Sequence, residues 1–168
     1  MPARRDPIPS IPATSPSMDG RRSVLAVSAA GRLCALPIAE VEETMRPASV
    51  EPVLGAPAFV LGVARVRGSA IPVVDLGAFL GAGGDPPTRW VTIRLGERRA
   101  VLAVSSVDGV HHIDDGRFGS LPPLLSIAPV DHIDAITVVD DVLVTVIRPA
   151  RILPASFPTW LDGAELAP

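Results

Sequence analysis

The sequence of 168 residues has few of the groups on which several classes of protein depend. Its one cysteine, Cys34, excludes an intrachain disulfide framework and a cysteine-rich zinc site. It has no lysine, which excludes a Walker-type phosphate loop. Aromatic residues make up 4% of the chain, with no tyrosine, and the formal net charge is -3. Because neither base stacking nor attraction to phosphate is favoured, we expect no nucleic-acid partner.

Long apolar runs are also missing. None reaches the roughly 18 residues that span a bilayer, and Arg4 and Arg5 are not followed by the apolar stretch of a secretory signal. We therefore expect a cytoplasmic protein with no direct membrane insertion. Hydrophobic residues still make up 48% of the chain, enough for a sizeable core. The 19 prolines and 14 glycines argue against long helices.

Short apolar and β-branched segments, separated by tight turns, recur through the chain. They predict four β-hairpins, in which two strands are joined by a turn rich in Gly, Ser, Glu or Asp. The predicted hairpins are 24–27 with 33–36, 59–66 with 70–74, 90–95 with 100–104, and 133–139 with 142–147.

Many short strands at spacings of roughly 8–12 residues are typical of a small barrel or sandwich. The Gly- and Pro-rich connector 81–87 favours two small barrels packed together, so we predict an all-β fold with short helices. Asp75 is expected to cap a helical turn. The predicted limits are a disordered Pro-rich tail at 1–21, a domain at 22–154 and a C-terminal tail or short helix at 155–168. The domain is expected to hold two sub-barrels divided near 66–88, with its C-terminal segment returning to the first.

Groups that could carry chemistry are sparse. Cys34 lies in an apolar strand and is interpreted as a small buried hydrophobe. His111 and His112, with the acidic residues beside them and the segment 131–134, would ligate a metal if the fold brought them together. Adjacent histidines on a strand point to opposite faces, so at most one of the two could join a given metal site. We therefore favour the interpretation that these groups are solvated ends of the Pro-rich loop. We expect no catalytic residue, no cofactor and no metal site.

Residues 36–76 carry a more specific pattern, and through it the chain resembles the CheW family of chemotaxis coupling proteins. The resemblance continues more weakly through 90–110 and 133–147, and covers about residues 22–154. The matching segments are Leu36-Pro37, Val41-Glu42-Glu43, Met45-Arg46-Pro47, Pro52, Gly55-Ala56-Pro57, Phe59-Val60-Leu61-Gly62-Val63, Val66-Arg67-Gly68 and Ile71-Pro72-Val73-Val74-Asp75-Leu76.

This resemblance implies two SH3-like five-stranded barrels around a shared apolar core. It also implies a non-enzymatic adaptor that links the cytoplasmic tip of chemoreceptors to the regulatory domain of a histidine kinase. A receptor's helical tip would lay apolar side chains into the groove between the barrels. The residues implied for partner binding are Arg67, Val41, Glu43, Gly62, Val107 and Val110, and those implied for structure are Gly68, Pro72 and Asp75.

Three positions depart from the family pattern: Arg65, Ser105 and the pair Arg148-Pro149. They motivate an alternative, a divergent scaffold of the same fold in a non-motility chemosensory or localisation pathway, which the neighbouring genes would discriminate. A third hypothesis is a metal-dependent enzyme that uses His111 or His112 with His132 and Asp134. Elemental analysis of the purified protein tests that hypothesis.

Overall fold

The computed structural model describes residues 20–81, 86–119 and 133–152. The predicted tail lies outside these ranges except for its last two residues, and so does the predicted C-terminal segment 155–168. The strands are β1 Arg21–Ala29, β2 Arg32–Pro37, β3 Val41–Met45, β4 Val60–Val66, β5 Ser69–Asp75, β6 Arg89–Leu95, β7 Arg98–Val104, β8 Ser106–Asp114, β9 Ile133–Val139 and β10 Val142–Ile147. The helices are α1 Leu76–Phe79 and α2 Pro149–Ile152, with 3-10 turns at Ile38–Glu40 and Asp115–Arg117.

These strands form two five-stranded sheets. The first sheet has the order β8-β1-β2-β10-β9, and the second has the order β3-β6-β7-β5-β4. Neighbouring strands are antiparallel except for β2 with β10 and β5 with β7, which are parallel. The four predicted hairpins are all present. The predicted all-β fold of two small packed barrels is confirmed.

The division of the chain between the sheets differs from the sequence-based expectation. Strands on both sides of the connector 81–87 belong to the second sheet, because β5 pairs in parallel with β7. A parallel pair needs a crossover connection, and α1 with β6 lies in that connection. The predicted division near 66–88 therefore does not coincide with the sheet boundaries, which fall at 38–40 and at 105.

Three apolar clusters bury the faces of the two sheets, and strand β7 contributes to two of them. Ala100, Leu102 and Val104 lie in a shared core that draws buried residues from both sheets. The alternate residues Val101 and Ala103 lie in a cluster made by the second sheet alone. The first sheet has a corresponding cluster of its own. Because successive side chains alternate between faces, a strand buried on both faces reads as a continuous apolar run.

Three of the four hairpin tips are two-residue turns in which both residues have a positive φ. Arg67 and Gly68 join β4 to β5 with φ values of 49° and 81°, and Val66 pairs directly with Ser69. Two consecutive positive φ values are typical of a type I′ turn, whose twist matches that of the flanking strands. The turn gives Gly68 a structural role and fixes the position from which the Arg67 side chain projects.

The other two residues expected to be structural lie in β5. The Asp75 carboxylate accepts a hydrogen bond from the backbone N–H of Ala78 at 3.1 Å, which caps α1. Pro72 is buried and lies just before Val73, where the pairing with β7 begins. Proline has no backbone N–H to donate, and Pro72 accordingly lies just before the β5–β7 ladder rather than within it.

Gly62 lies at a bulge of strand β4, where Leu61 is the additional residue relative to β5. Glu51 and Val63 exchange two backbone hydrogen bonds, of 2.8 and 2.9 Å, which place the backbone of residue 51 against Gly62. A Cβ at Gly62 would lie 2.1 Å from the Glu51 carbonyl oxygen, and its φ is 143°. Packing alone thus requires glycine here, and the partner-binding role of Gly62 stays a prediction.

We expect Gly62→Ala to lower the free energy of unfolding by about 2 kcal/mol or more, because the added Cβ meets backbone in a strained conformation. Urea denaturation measures the change. Gly116→Ala is the matched control, since its added Cβ meets nothing within 4 Å. Equal stability of the two variants would contradict the packing role of Gly62.

Candidate functional site

Five charged residues surround a cleft of about 450 Å³ at the surface of the second sheet. We call this the charged cleft. It is lined by Glu42, Glu43, Arg67, Arg94 and Arg99. Two of the five, Arg67 and Glu43, were predicted from the sequence as partner-binding residues.

Arg67 and Glu43 form a bidentate ion pair. The Nε and Nη2 atoms of Arg67 donate to the two carboxylate oxygens of Glu43 at 2.8 and 2.9 Å. Glu43 lies on β3 and Arg67 at the tip of the β4–β5 hairpin, and β3 and β4 are the opposite edges of the second sheet. The pair therefore connects the two edges through side chains. The Arg67 side chain is still 73% exposed.

A bulge in β3 explains why two consecutive glutamates line one cleft. On a regular strand, adjacent side chains point to opposite faces. Here Val41 pairs with Ile93 and Glu43 pairs with Thr92, so that Glu42 is an additional residue. The extra residue bends the strand and re-aims its side chain. The sequence carries no local signal for this bulge.

Glu42 lies between two arginines that face each other. Arg94 on β6 is directly opposite Arg99 on β7, and like charges so placed are destabilising. The Nε atom of Arg94 donates to Glu42 at 2.7 Å, while Arg99 donates from Nε at 2.8 Å and approaches with Nη2 at 2.6 Å. The carboxylate thus offsets the repulsion between the two cations.

Sequence reasoning missed Glu42, Arg94 and Arg99 as members of a site. The turn at Gly96-Glu97 does hold a usable signal. In a hairpin with a two-residue turn, residues at equal distances from the turn pair with each other, which places Arg94 opposite Arg99. The acceptor between them depends on the β3 bulge, which the sequence does not reveal.

Ion pairing keeps the acidic groups of the cleft ionised. The hydrogen bond from Arg67 holds the pKa of Glu43 below its ordinary value. The hydrogen bond from Arg99, with a further one from Arg94, lowers the pKa of Glu42 against the opposing effect of burial. The Glu43 hydrogen bond raises the pKa of Arg67. Such groups keep their charges at neutral pH, which suits recognition better than proton transfer.

The predicted apolar contact residues lie on the edge strands β3 and β8. Val41 and Val107 are half-buried and pack against the shared core. Asp108 is an additional residue at a bulge in β8, so Val107 pairs with Val27 and Val110 pairs with Leu25. Since Val27 and Leu25 both belong to the shared core, Val107 and Val110 share the face that borders it. Val110 is 52% exposed.

The histidine pair lies within a strand, which corrects the interpretation as loop ends. His111 and His112 belong to β8, because the strand continues to Ile113, which is buried in the cluster of the first sheet. The Nδ1 atom of His112 lies 2.8 Å from the hydroxyl of Ser23. Pairing with β1 extends β8 past the histidines to Asp114. The residues around His111 and His112 give no local signal for this pairing.

The carboxylates beside the histidines form ion pairs. Asp114 and Asp115 accept from Arg21 and Arg22, each at 3.0 Å. Across 20–81, 86–119 and 133–152, no group of three or more His, Cys, Asp or Glu residues is placed to hold a metal ion. Residues 131 and 132 and the side chain of Asp134, which the metal hypothesis also used, lie outside the described part of the structure.

Cys34 is fully buried in the shared core. Burial raises the pKa of its thiol to about 11, against a smaller opposing effect of Arg32. The thiolate is therefore scarce at neutral pH, and the side chain serves as a small hydrophobe. In the same described ranges, no helix is long and apolar enough to cross a membrane.

Comparison with known proteins matches this fold and chain to one family. The family model described as CheW-like domain matches residues 23–157. Protein PilI of Pseudomonas aeruginosa is 34% identical over 98 residues, which cover 56% of this chain and 55% of PilI, so the match spans about half of that relative. The crystal structure of the scaffolding protein TtCheW from Thermoanaerobacter tengcongensis superposes with a TM-score of 0.73 at 25% identity, over 81% of this chain and 94% of TtCheW.

The lowered pKa of Glu43 predicts a pH-dependent contribution to stability. Its ionised form stabilises the fold, so the contribution is present above the ordinary glutamate pKa of about 4.3 and is lost as the pH falls through the lower folded-state value. We expect Glu43→Gln to unfold at a lower urea concentration than the wild type at neutral pH, and we expect this difference to shrink as the pH falls below about 4.3.

Urea midpoints measured across this pH range test the Glu43 prediction. Glu97→Gln is the matched control, because it removes an exposed carboxylate at a hairpin turn outside the charged cleft. A wild-type advantage over Glu43→Gln that persists undiminished at about pH 3 would contradict the role of the ionised pair.

Proposed function

The chain belongs to the CheW-like domain family, whose members are scaffold proteins, and on this premise we propose that it is a non-enzymatic adaptor between chemoreceptors and a CheA-type histidine kinase. The observation that carries the proposal is the family match over residues 23–157. The proposed partners are the receptor's cytoplasmic tip and the kinase's regulatory domain.

The placement of the predicted contact valines supports this role. Val41 and Val107 lie on edge strands of different sheets, and both pack against the shared core. With Val110 they give the border of that core an apolar, partly exposed character. An amphipathic helix binds such a surface by laying its apolar face along it. A receptor tip built from a helical hairpin has this chemistry.

Arg67 is the proposed polar anchor of the interface. Its guanidinium is held by Glu43 and still largely exposed, so it is oriented before a partner arrives. A planar guanidinium fixed in this way recognises a carboxylate or carbonyl group with less loss of side-chain freedom. Glu43 then acts by positioning Arg67 rather than by direct contact.

One specific observation favours a second candidate, a divergent scaffold in a chemosensory-like pathway with its own receptor and kinase. The curated relative reported above is Protein PilI, matched at 34% identity over about half its length. The departures at Arg65, Ser105 and Arg148-Pro149 point the same way. Under this alternative the protein keeps the scaffold role and serves a different receptor and kinase. Receptor and kinase genes beside its own gene, and the output they control, discriminate the two candidates.

We expect Arg67→Ala to weaken binding to the receptor tip or the kinase regulatory domain by about tenfold, because it removes the exposed guanidinium. The melting temperature should change by only a few degrees, since surface substitutions usually cost about 0.5 kcal/mol or less. Isothermal titration calorimetry measures the affinity. Arg65→Ala, an exposed arginine on the same hairpin, is the matched control. Unaltered binding by Arg67→Ala would remove Arg67 from the interface.

Val110→Asp should abolish receptor-tip binding, because it places a charge on the apolar border where the receptor helix is proposed to lie. Val142→Asp is the matched control: Val142 is 47% exposed, close to the 52% of Val110, but lies at the β9–β10 hairpin. Pull-down with the receptor tip compares the two. The proposed groove would be refuted if both variants lost receptor-tip binding equally, or if neither variant lost it.

A further inference from the structure

The charge of the cleft differs in sign from that of the chain. The chain has a formal net charge of -3, whereas the cleft combines three arginines with two glutamates and so carries one surplus positive charge. Within the cleft, Arg67 is matched by Glu43, whereas Arg94 and Arg99 share the single carboxylate of Glu42. The surplus positive charge therefore lies where Arg94 and Arg99 meet.

Arg94 occupies a repulsive position. It faces Arg99 directly across the β6–β7 pair, and it shares with Arg99 the single carboxylate of Glu42. Without Arg94 the cleft would keep two complete ion pairs and lose one repulsive contact. One carboxylate therefore has to balance two facing cations at this place.

The exposure of the three arginines separates their roles. The Arg99 side chain is 18% exposed and engages Glu42 through two nitrogens, so it forms the floor of the cleft. Arg94 is 59% exposed and contacts Glu42 through Nε. A guanidinium carries five N–H donors, so Arg94, which lines the cleft, has donors beyond the one that Nε gives to Glu42.

We propose that the charged cleft binds a carboxylate side chain, Asp or Glu, on the surface of the protein partner, with Arg94 as its principal receptor and Arg67 beside it. The terminal amino groups of Arg94 pair with the incoming carboxylate while Glu42 holds the Nε side of the same guanidinium. Guanidinium–carboxylate pairs of this kind are charge-assisted and directional. The inference deepens the proposed function, on which it rests for the identity of the partner.

The first test uses the receptor tip and the kinase regulatory domain from the same organism. Arg94→Glu should weaken binding to one of them by about tenfold or more and flatten its salt dependence, since a repelled partner loses the attraction that salt screens. Arg94→Gln should weaken it less. Arg89→Glu is the matched control, an exposed arginine on the same strand outside the cleft, with the same change of net charge. Thermal unfolding of each variant checks that the fold is retained.

The second test needs neither partner. Acetylated tetraglutamate is titrated to about 10 mM, the range of weak charge-pair binding, while NMR follows the Nε–Hε signals of the arginines. The Arg94 signal should shift in the wild type, and the remaining signals should be unmoved in Arg94→Glu. Tetraserine is the peptide control.

The outcomes separate the two proposals. If Arg94→Glu and Arg89→Glu bind the partners equally while Arg67→Ala or Val110→Asp loses binding, the carboxylate site is wrong and the adaptor function stands. If the wild type binds neither partner, the adaptor function fails, and the peptide titration then decides the carboxylate site alone. An Arg94 signal that tetraglutamate leaves unmoved overturns the site.

Discussion

Burial of both faces of each sheet is the constraint on which this structure depends. One set of side chains fills a cluster within its own sheet, and the alternate set fills the core shared with the other sheet, as Val101 and Leu102 do. Small sheets bury too little surface to be stable alone, so each supplies the apolar cover that the other lacks. Because the strand interiors are committed to packing, recognition is left to strand edges, bulges and turns.

β-Bulges change which face of a strand the side chains reach, whereas regular strand packing fixes that face. One additional residue in each of β3, β4 and β8 breaks the alternation of faces, at Glu42, Leu61 and Asp108 respectively. Each of these residues is exposed, and each changes the face reached by the side chains after it. In β3 the bulge gathers two glutamates at one cleft, and in β8 it aligns two valines along the shared core. The two glutamates of the cleft and the two valines of β8 therefore depend on the same backbone feature.

Local signals in the sequence predicted a large part of the fold. Tight turns with Gly or Asp predicted the hairpins, and the 36–76 motif led to the family, the double barrel and the selection of Arg67 and Glu43 as contact residues, whereas their ion pair is a finding of the structure. The placement of β6 and β7 in one sheet with β4 and β5 was not accessible, because the parallel pairing of β5 with β7 joins segments that no local pattern relates. The bulges were also invisible, since they arise from the register between two strands. Arg94 and Arg99 were missed for that reason, although their hairpin fixes them opposite each other.

The link between Arg67 and Glu43 has a mechanical meaning. Neighbouring strands elsewhere in the second sheet are joined by backbone ladders, which break only with the fold. The hairpin tip at Arg67 is instead tied to β3 by the ion pair between the exposed Arg67 side chain and the half-buried Glu43 side chain. A tie of this kind is a seam. It opens at a lower free-energy cost than a backbone ladder does, because exposed ion pairs contribute little to stability.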